Sequence, residues 1–252
     1  MFDLLIRNAQ VLDGTGAPAY LADVAVKDGE IAAVGKLSGE AAETVDAAGL
    51  TLAPGFIDVH GHSDFFMPLD PARASKLLQG VTTELCGQCG LGPAPVTEQN
   101  YPVYHKYLSQ QGIPMYPDDR TFTSFSAYLS RMEQTPAGIN LAYFIPHGTV
   151  RLAVMGFSHD APDDRQLAQM RELVEDAMQA GALGLSTGLA YAPGRFAATD
   201  ELAALTEPVG RYGGVYTSHL RDQGDQLEQS VQEAIDIARR GGARVNVSHH
   251  KT

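Results

Sequence analysis

The sequence predicts an α/β protein: an incomplete TIM-like (β/α) barrel, with about six of the eight strands that close one, behind a small amino-terminal β-sandwich portion. Three observations predict it. Residues 3 to 52 alternate short β-rich runs with turns and show no helix-length periodicity. From residue 53 onward, short apolar runs alternate with amphipathic helical patterns. Those apolar runs end in glycine-rich, polar or imidazole-bearing residues, and the carboxyl ends of parallel barrel strands are where such folds gather their chemistry.

In the first portion, residues 1–52, the strand candidates are Leu4 to Ile6, Asp23 to Val26 and Ile31 to Val34. Asp28-Gly29 is a hairpin turn between the last two, because glycine accepts positive φ. The expectation is a small antiparallel unit, half of a sandwich that needs more strands to close.

In the second portion, residues 53–252, the first strand is Phe56 to Val59, bounded by Pro54-Gly55, and a helix capped by Asp70, opened by Pro71 and ended by Gly80 follows. Val81 to Cys86 is the second strand and runs into Gly87-Gln88-Cys89-Gly90. Residues 91 to 137 form a long connection with one helix signal at Phe125, Tyr128, Leu129 and Met132. The third strand, Ile139 to Ile145, stops at Pro146-His147-Gly148. A helix from Asp163 to Ala180 turns Leu167, Met170, Leu173, Val174 and Ala177 to one face. Ala182 to Leu185 is the fourth strand, and Thr199 caps a helix carrying Leu202 and Leu205. Val215 to Ser218 delivers His219. A helix from Asp225 to Arg240, with Leu227, Val231, Ala234, Ile235 and Ala238 inward, leads to the sixth strand, Arg244 to Ser248, which delivers His249 and His250.

Composition narrows the function classes. With 252 residues, 44% hydrophobic and 19% charged, the chain can bury a sizeable core. A net charge of −12 argues against nucleic acid or an anionic membrane as partner, since both need a basic patch. Two cysteines cannot staple a large secreted fold, no run of about 18 apolar residues offers a membrane span, and Met1-Phe2-Asp3-Leu4 lacks the regions of a signal peptide. A reducing cytoplasm is the expected compartment.

The chemistry concentrates at strand ends. His60 and His62 are two apart, so an extended chain turns both to one face, where they can grip one metal ion. Cys89, His219 and either His249 or His250 join them from other strand ends. Thiolate with imidazole favours zinc. Five ligands are too many for one tetrahedral ion, so a two-metal site, or one tight and one loose position, is expected. Cys86 and Cys89 are an odd number apart, so only one faces the site, and Cys86 is assigned to core packing. His105, His147 and His159 are read as ordinary histidines.

Taken together, Ala53-Pro54-Gly55-Phe56-Ile57-Asp58-Val59-His60-Gly61-His62, Gly87-Gln88-Cys89-Gly90, Gly184-Leu185-Ser186-Thr187-Gly188-Leu189-Ala190-Tyr191, Ser218-His219-Leu220-Arg221-Asp222 and Ser248-His249-His250-Lys251 resemble the metal-dependent amidohydrolase superfamily, in particular its D-aminoacylase, or N-acyl-D-amino-acid deacylase, branch. The resemblance implies a β-sandwich beside a barrel, and zinc held mainly by Cys89 and His219. It implies a second, weaker position at His60, His62 and His249, preferred over His250 because it follows a serine at a strand end as His219 does. It also places Lys251 and Tyr191 near the α-carboxylate of a small-molecule N-acyl amino acid, which is hydrolysed to a carboxylate and a free D-amino acid.

The general base of that family is an aspartate after the eighth strand, and no residue of this sequence occupies the position. The expectation is therefore an amino-terminal, truncated portion that is inactive alone. A hydantoinase or dihydroorotase type, or an inactive metal-binding remnant, are the alternatives; Cys89 in place of a metal-bridging lysine counts against the former. The acyl group, the side-chain preference and the oligomeric state are not encoded in these patterns.

Overall fold

The computed structural model describes residues 1–66, 74–114 and 122–251. The expected caps Asp70 and Pro71 lie outside the described residues. The chain divides into two compact units, Met1–Phe56 and Ile57–Thr252.

The first unit is one sheet built on β1 (Phe2–Val11). Its other strands are β2 (Tyr20–Lys27), β3 (Glu30–Gly35), β4 (Ala41–Asp46) and β5 (Thr51–Leu52). The order is β3-β2-β1-β4, with β5 also on β1. Asp28 (φ 53) and Gly29 (φ 79) make the hairpin between β2 and β3, the left-handed pair that a twist-matched two-residue turn requires. Ala9, Val11, Ala22, Val24 and Ala47 form its core. The expected antiparallel unit is corrected to a mixed sheet, because β4 and β5 lie parallel to β1. Residues 36–40 carry the chain from β3 to the far side of β1, where Arg7 donates to Leu37 O and Gly39 O. A strand as exposed as β4 has too little apolar alternation to show in sequence.

The second unit alternates strands and helices. Its strands are β6 (Phe56–Asp58), β7 (Val81–Cys86), β8 (Asn140–Tyr143), β9 (Ile145–Pro146), β10 (Gly184–Gly188), β11 (Val215–His219) and β12 (Arg244–Val247). They form one sheet in the order β6-β7-β8 and another in the order β12-β11-β10-β9, and β7 to β8 and β9 through β12 pair in parallel. The expected third strand is thus two pieces broken at Phe144. Its continuity survives in hydrogen bonds from Phe144 N to Cys86 O (3.0 Å) on one side and from Leu183 N to Tyr143 O (2.8 Å) on the other. No closed sheet is present among the described residues.

The helices are α1 (Ala74–Leu77), α2 (Tyr101–Gln110), α3 (Phe125–Glu133), α4 (His147–Met155), α5 (Asp164–Gln179), α6 (Thr199–Arg211) and α7 (Leu227–Gly241). Asp163 begins α5 with a capping box: Gln166 N donates to its carboxylate at 2.7 Å and Gln166 Oε1 accepts Asp163 N–H at 3.0 Å. Thr199, expected as a cap, is instead the first residue of α6, and its hydroxyl donates to Glu233 Oε1 at 3.0 Å. In α7 the fully buried isoleucine is Ile237, not Ile235, because the stripe runs Ala234, Ile237, Ala238, Gly241. The core joins Met170, Val174 and Ala177 of α5 to Leu202, Leu205 and Val209 of α6 and to Leu185 and Tyr216 of the strands.

A buried polar trio ties α4 to α6. Arg151, fully buried, donates from Nε to Glu201 Oε1 (3.1 Å), from Nη1 to Ser158 O and from Nη2 to Asp160 O (both 2.7 Å). His147 Nε2 donates to the same carboxylate oxygen at 3.0 Å. Burial pushes the Glu201 carboxyl up, but His147 and Arg151 together hold it below its ordinary value. Replacing Arg151 by Met leaves that carboxylate buried with a lost ion pair. The expected result is a loss of about 3–5 kcal/mol in urea unfolding, and a loss below about 1 kcal/mol would show that the pair does not hold the two helices.

Candidate metal centre

Four strand ends build the site. After β6, His60 N–H donates to Asp58 Oδ1 at 3.1 Å and starts a tight passage through Gly61. A Cβ at Gly61 would stand 1.8 Å from Glu84 Oε1, so only glycine lets the backbone between the two imidazoles pass this carboxylate. Glu84, on β7 and fully buried, accepts the Ser63 amide (3.2 Å) and hydroxyl (2.5 and 2.6 Å), which pins the chain just after His62. After β7 the chain makes a turn in which Cys89 itself is left-handed, at φ 57. His219 closes β11. His249, at φ 31, follows Ser248, whose amide donates to Ser218 O at 2.9 Å.

These ends converge. The ligand atoms of His60, His62 and Cys89 lie within 4.8 Å of one another, and so do those of Cys89, His219 and His249. Cys89 Sγ stands 3.2 Å from His60 Nε2 and 3.4 Å from His249 Nε2, so the thiol is common to both groups. The His219 and His249 rings are 4.5 Å apart, and those of His60 and His249 5.0 Å. Of the two adjacent histidines it is His249 whose ring joins the cluster; His250 is in neither group.

The donor set fits a divalent cation. Burial, then the neighbouring imidazoles His62 and His249, bring the His60 pKa down to about 4. Burial, His249 and Lys251 bring His219 down to about 4 as well. Burial lowers His62 and His249 too, and pushes the Cys89 thiol up to about 11. Metal-free, the pocket therefore carries neutral imidazoles and a protonated thiol. His60 Nδ1 is buried with no hydrogen-bond partner. Neutral imidazoles are metal ligands as they stand, and a bound cation would convert the thiol to thiolate.

The cluster floors a cavity of about 460 Å³ whose other walls are Leu91, Gln111, Ile113 and Tyr191. Tyr191 lies with its ring 5.1 Å from that of His219, and its hydroxyl donates to Cys89 O at 2.5 Å. Lys251 is exposed beside the cluster, and its charge lowers the pKa values of Cys89, His219 and His249. Of the histidines read as ordinary, His147 is fully buried on Glu201 and His159 stacks on Phe196 at 4.1 Å. Asp64 was missed. Its buried carboxyl, pushed up to about 7 by burial, accepts Gly87 N–H at 3.1 Å. Its proximity to the histidine pair in sequence was the only available signal.

The model of the amidohydrolase family, Amidohydro_3, matches residues 43–252. The chain belongs to the amidohydrolase family. The chain is 39% identical over 251 residues to a D-aminoacylase of Alcaligenes xylosoxydans xylosoxydans, a match covering 99% of the chain and 51% of that relative. Among solved structures it is similar, at 36% identity and TM-score 0.91, to a D-aminoacylase described by its binuclear metal centre, with 100% of this chain and 52% of the other covered. It is similar at 36% identity and TM-score 0.89 to an N-acyl-D-glutamate deacylase of Bordetella bronchiseptica complexed with zinc and a phosphonate inhibitor, with 99% and 51% covered. The chain thus spans about half the length of the relatives it matches. No helix among its described residues is long and apolar enough to cross a membrane.

The depressed imidazoles give a pH signature. His60 and His219 have folded values of about 4 against an ordinary 6.5. Between those values the unfolded chain binds protons that the folded chain refuses. Their contribution to stability is fully present above about 6.5 and is lost as pH falls toward about 4. The metal-free chain, followed by urea midpoint, should lose more stability across that window than the double variant His60→Asn, His219→Asn. Parallel profiles would refute the assignment of the two shifts.

Proposed function

We propose that this chain carries the metal-binding part of a zinc amidohydrolase that cleaves N-acyl-D-amino acids to a carboxylate and a free D-amino acid. The observation that carries the reading is the meeting of one thiol and four imidazoles from separate strand ends on the floor of one cavity. The similarity to a D-aminoacylase and to a deacylase complexed with zinc supports the choice of reaction and metal, as does the preference of mixed thiolate and imidazole sets for zinc.

Cys89 and His219 are assigned to the tight position, and His60, His62 and His249 to the weaker one. A cation bound there supplies Lewis acidity toward an amide carbonyl and a water that ionises near pH 7. The protein's own residues do the rest. Burial keeps the imidazoles free of competing protons at neutral pH. Lys251 pairs with the substrate α-carboxylate, and Tyr191 flanks the same end. The parallel strand succession β7 to β12, interrupted only at Phe144, is read as six strands of a TIM-like barrel with β6. The amino-terminal portion, residues 1–52, is read as part of a sandwich, with the barrel portion from residue 53. The general-base aspartate is assigned to no residue of this chain. Free Cys86 and Cys89 suit a reducing cytoplasm.

The test is to add zinc and assay N-acyl-D-amino acids and their L forms for release of free amino acid. It uses the chain alone and the chain extended by whatever reading frame follows Thr252. Metal bound by both, with turnover of D substrates by the extended protein only, is the expected outcome. Turnover by neither, or an L preference, would remove the proposed reaction. A second prediction concerns protons. Binding a divalent metal must expel the Cys89 proton, so zinc affinity should rise about tenfold per pH unit below the thiol's value. Cys89→Ala should flatten that slope and weaken binding, and an unchanged slope would exclude the thiol as ligand.

A further inference from the structure

The turn that presents Cys89 is held by a side chain from another strand, β10. Gly87, Cys89 and Gly90 have φ of 72, 57 and 67, a left-handed run interrupted only by Gln88. The two glycines have no alternative: a Cβ at Gly87 would stand 2.2 Å from Phe144 O, and one at Gly90 2.6 Å from Gly188 N. A non-glycine residue in this region is disfavoured, so Cys89 keeps its conformation only where surrounding contacts impose it.

Ser186, the middle residue of β10, supplies those contacts from outside the ligand set. It is fully buried. Its hydroxyl donates to Gly87 O and accepts Gly90 N–H at 3.1 Å, so one oxygen bridges the backbone on both sides of Cys89. A hydroxyl is the smallest side-chain group that can donate and accept at once. Other ties reach the same turn: Asp64 to Gly87 N–H, Tyr191 to Cys89 O, Gln88 Nε2 to Val59 O at 3.0 Å, the Thr217 hydroxyl to Gln88 Oε1 at 3.4 Å, and Leu91 N–H to Gln88 O at 3.1 Å. Of these, the Leu91–Gln88 bond also spans Cys89, but it is local backbone and brings no support from another strand. We propose that Ser186 is a positioning residue for the metal, its hydroxyl clamping residues 87 to 90 so that the Cys89 sulfur stands between the two histidine groups. This inference rests on the reading of the cluster as a metal site. It adds a support from outside the ligand set, because serine here is not a ligand and comes from a strand far along the chain from the cysteine it orients.

Cobalt(II) titration of the chain tests it, since a thiolate-to-cobalt charge-transfer band appears only when the cysteine sulfur is bound. The wild type should show the band and Cys89→Ala should not. Ser186→Ala, with a wild-type far-ultraviolet dichroism spectrum, should bind cobalt about 10–100-fold more weakly, the usual loss for a group that orients a ligand, and show a diminished band. Thr206→Ala, which removes an equally buried hydroxyl bonded to Leu202 O at 2.7 Å in α6, should leave both unchanged. Should the alanine variant not fold, Ser186→Thr and Ser186→Val provide an isosteric pair that differs in the hydroxyl; threonine should bind the more tightly. Wild-type affinity and band in Ser186→Ala, or equal binding by the threonine and valine variants, overturns the clamp while leaving the metal site intact. Absence of the band from the wild type, or its persistence in Cys89→Ala, overturns the metal-site reading and the clamp with it.

Discussion

The site depends on one backbone constraint, the left-handed turn from Gly87 to Gly90 that lifts Cys89 out of the strand direction and into the centre of the histidines. An extended continuation of β7 would alternate its side chains between the two faces of the sheet. The turn breaks that alternation and leaves Cys86 fully buried in the core, while the Cys89 thiol becomes the one donor common to both three-residue groups. Gly61 serves the same end on the neighbouring strand, letting His60 and His62 pass the Glu84 carboxylate. Glycine's lack of a Cβ thus determines where the candidate ligands stand.

Charge is distributed in two layers. The cavity floor carries groups that burial keeps neutral, and a cation is the partner that such a set lacks. Behind the floor lie Asp64 and Glu84, both buried and both bonded to the chain that bears the ligands, Asp64 to the Gly87 amide and Glu84 to Ser63. The trio His147, Glu201 and Arg151 shows the contrast. It also sets a buried histidine at a strand end, but there the Arg151 guanidinium supplies the counter-charge to the carboxylate, and the trio fastens α4 to α6. A buried histidine is a ligand or a strut according to whether its partner is already present.

Much of this was legible from residue order. The run Phe56 to His62, the strand Val81 to Cys86 and the strand ending at His219 could be read because apolar runs and their polar ends recur with each β/α unit. The capping box at Asp163 and Gln166 was half visible, since its acid stands where the helix pattern begins. Other features were not legible. β4 is nearly all exposed, α2 and α4 have little polar-apolar contrast at helical spacing, and Thr199 has a better partner in Glu233 than in its own helix. Each of these was decided by a contact distant in sequence.

The sequence alone determined which groups could take part: one thiol, paired imidazoles at an even spacing, and glycines where a turn must follow a strand. These are local properties, set by residue type and by the two-residue repeat of an extended chain. Only the tertiary structure decided which of them meet. It chose His249 over its neighbour, made Cys89 the donor shared by both groups, and placed Ser186 and Asp64 against the turn. Those outcomes depend on how parallel strands stagger and how closely their connections approach, and such distances belong to the assembled sheet.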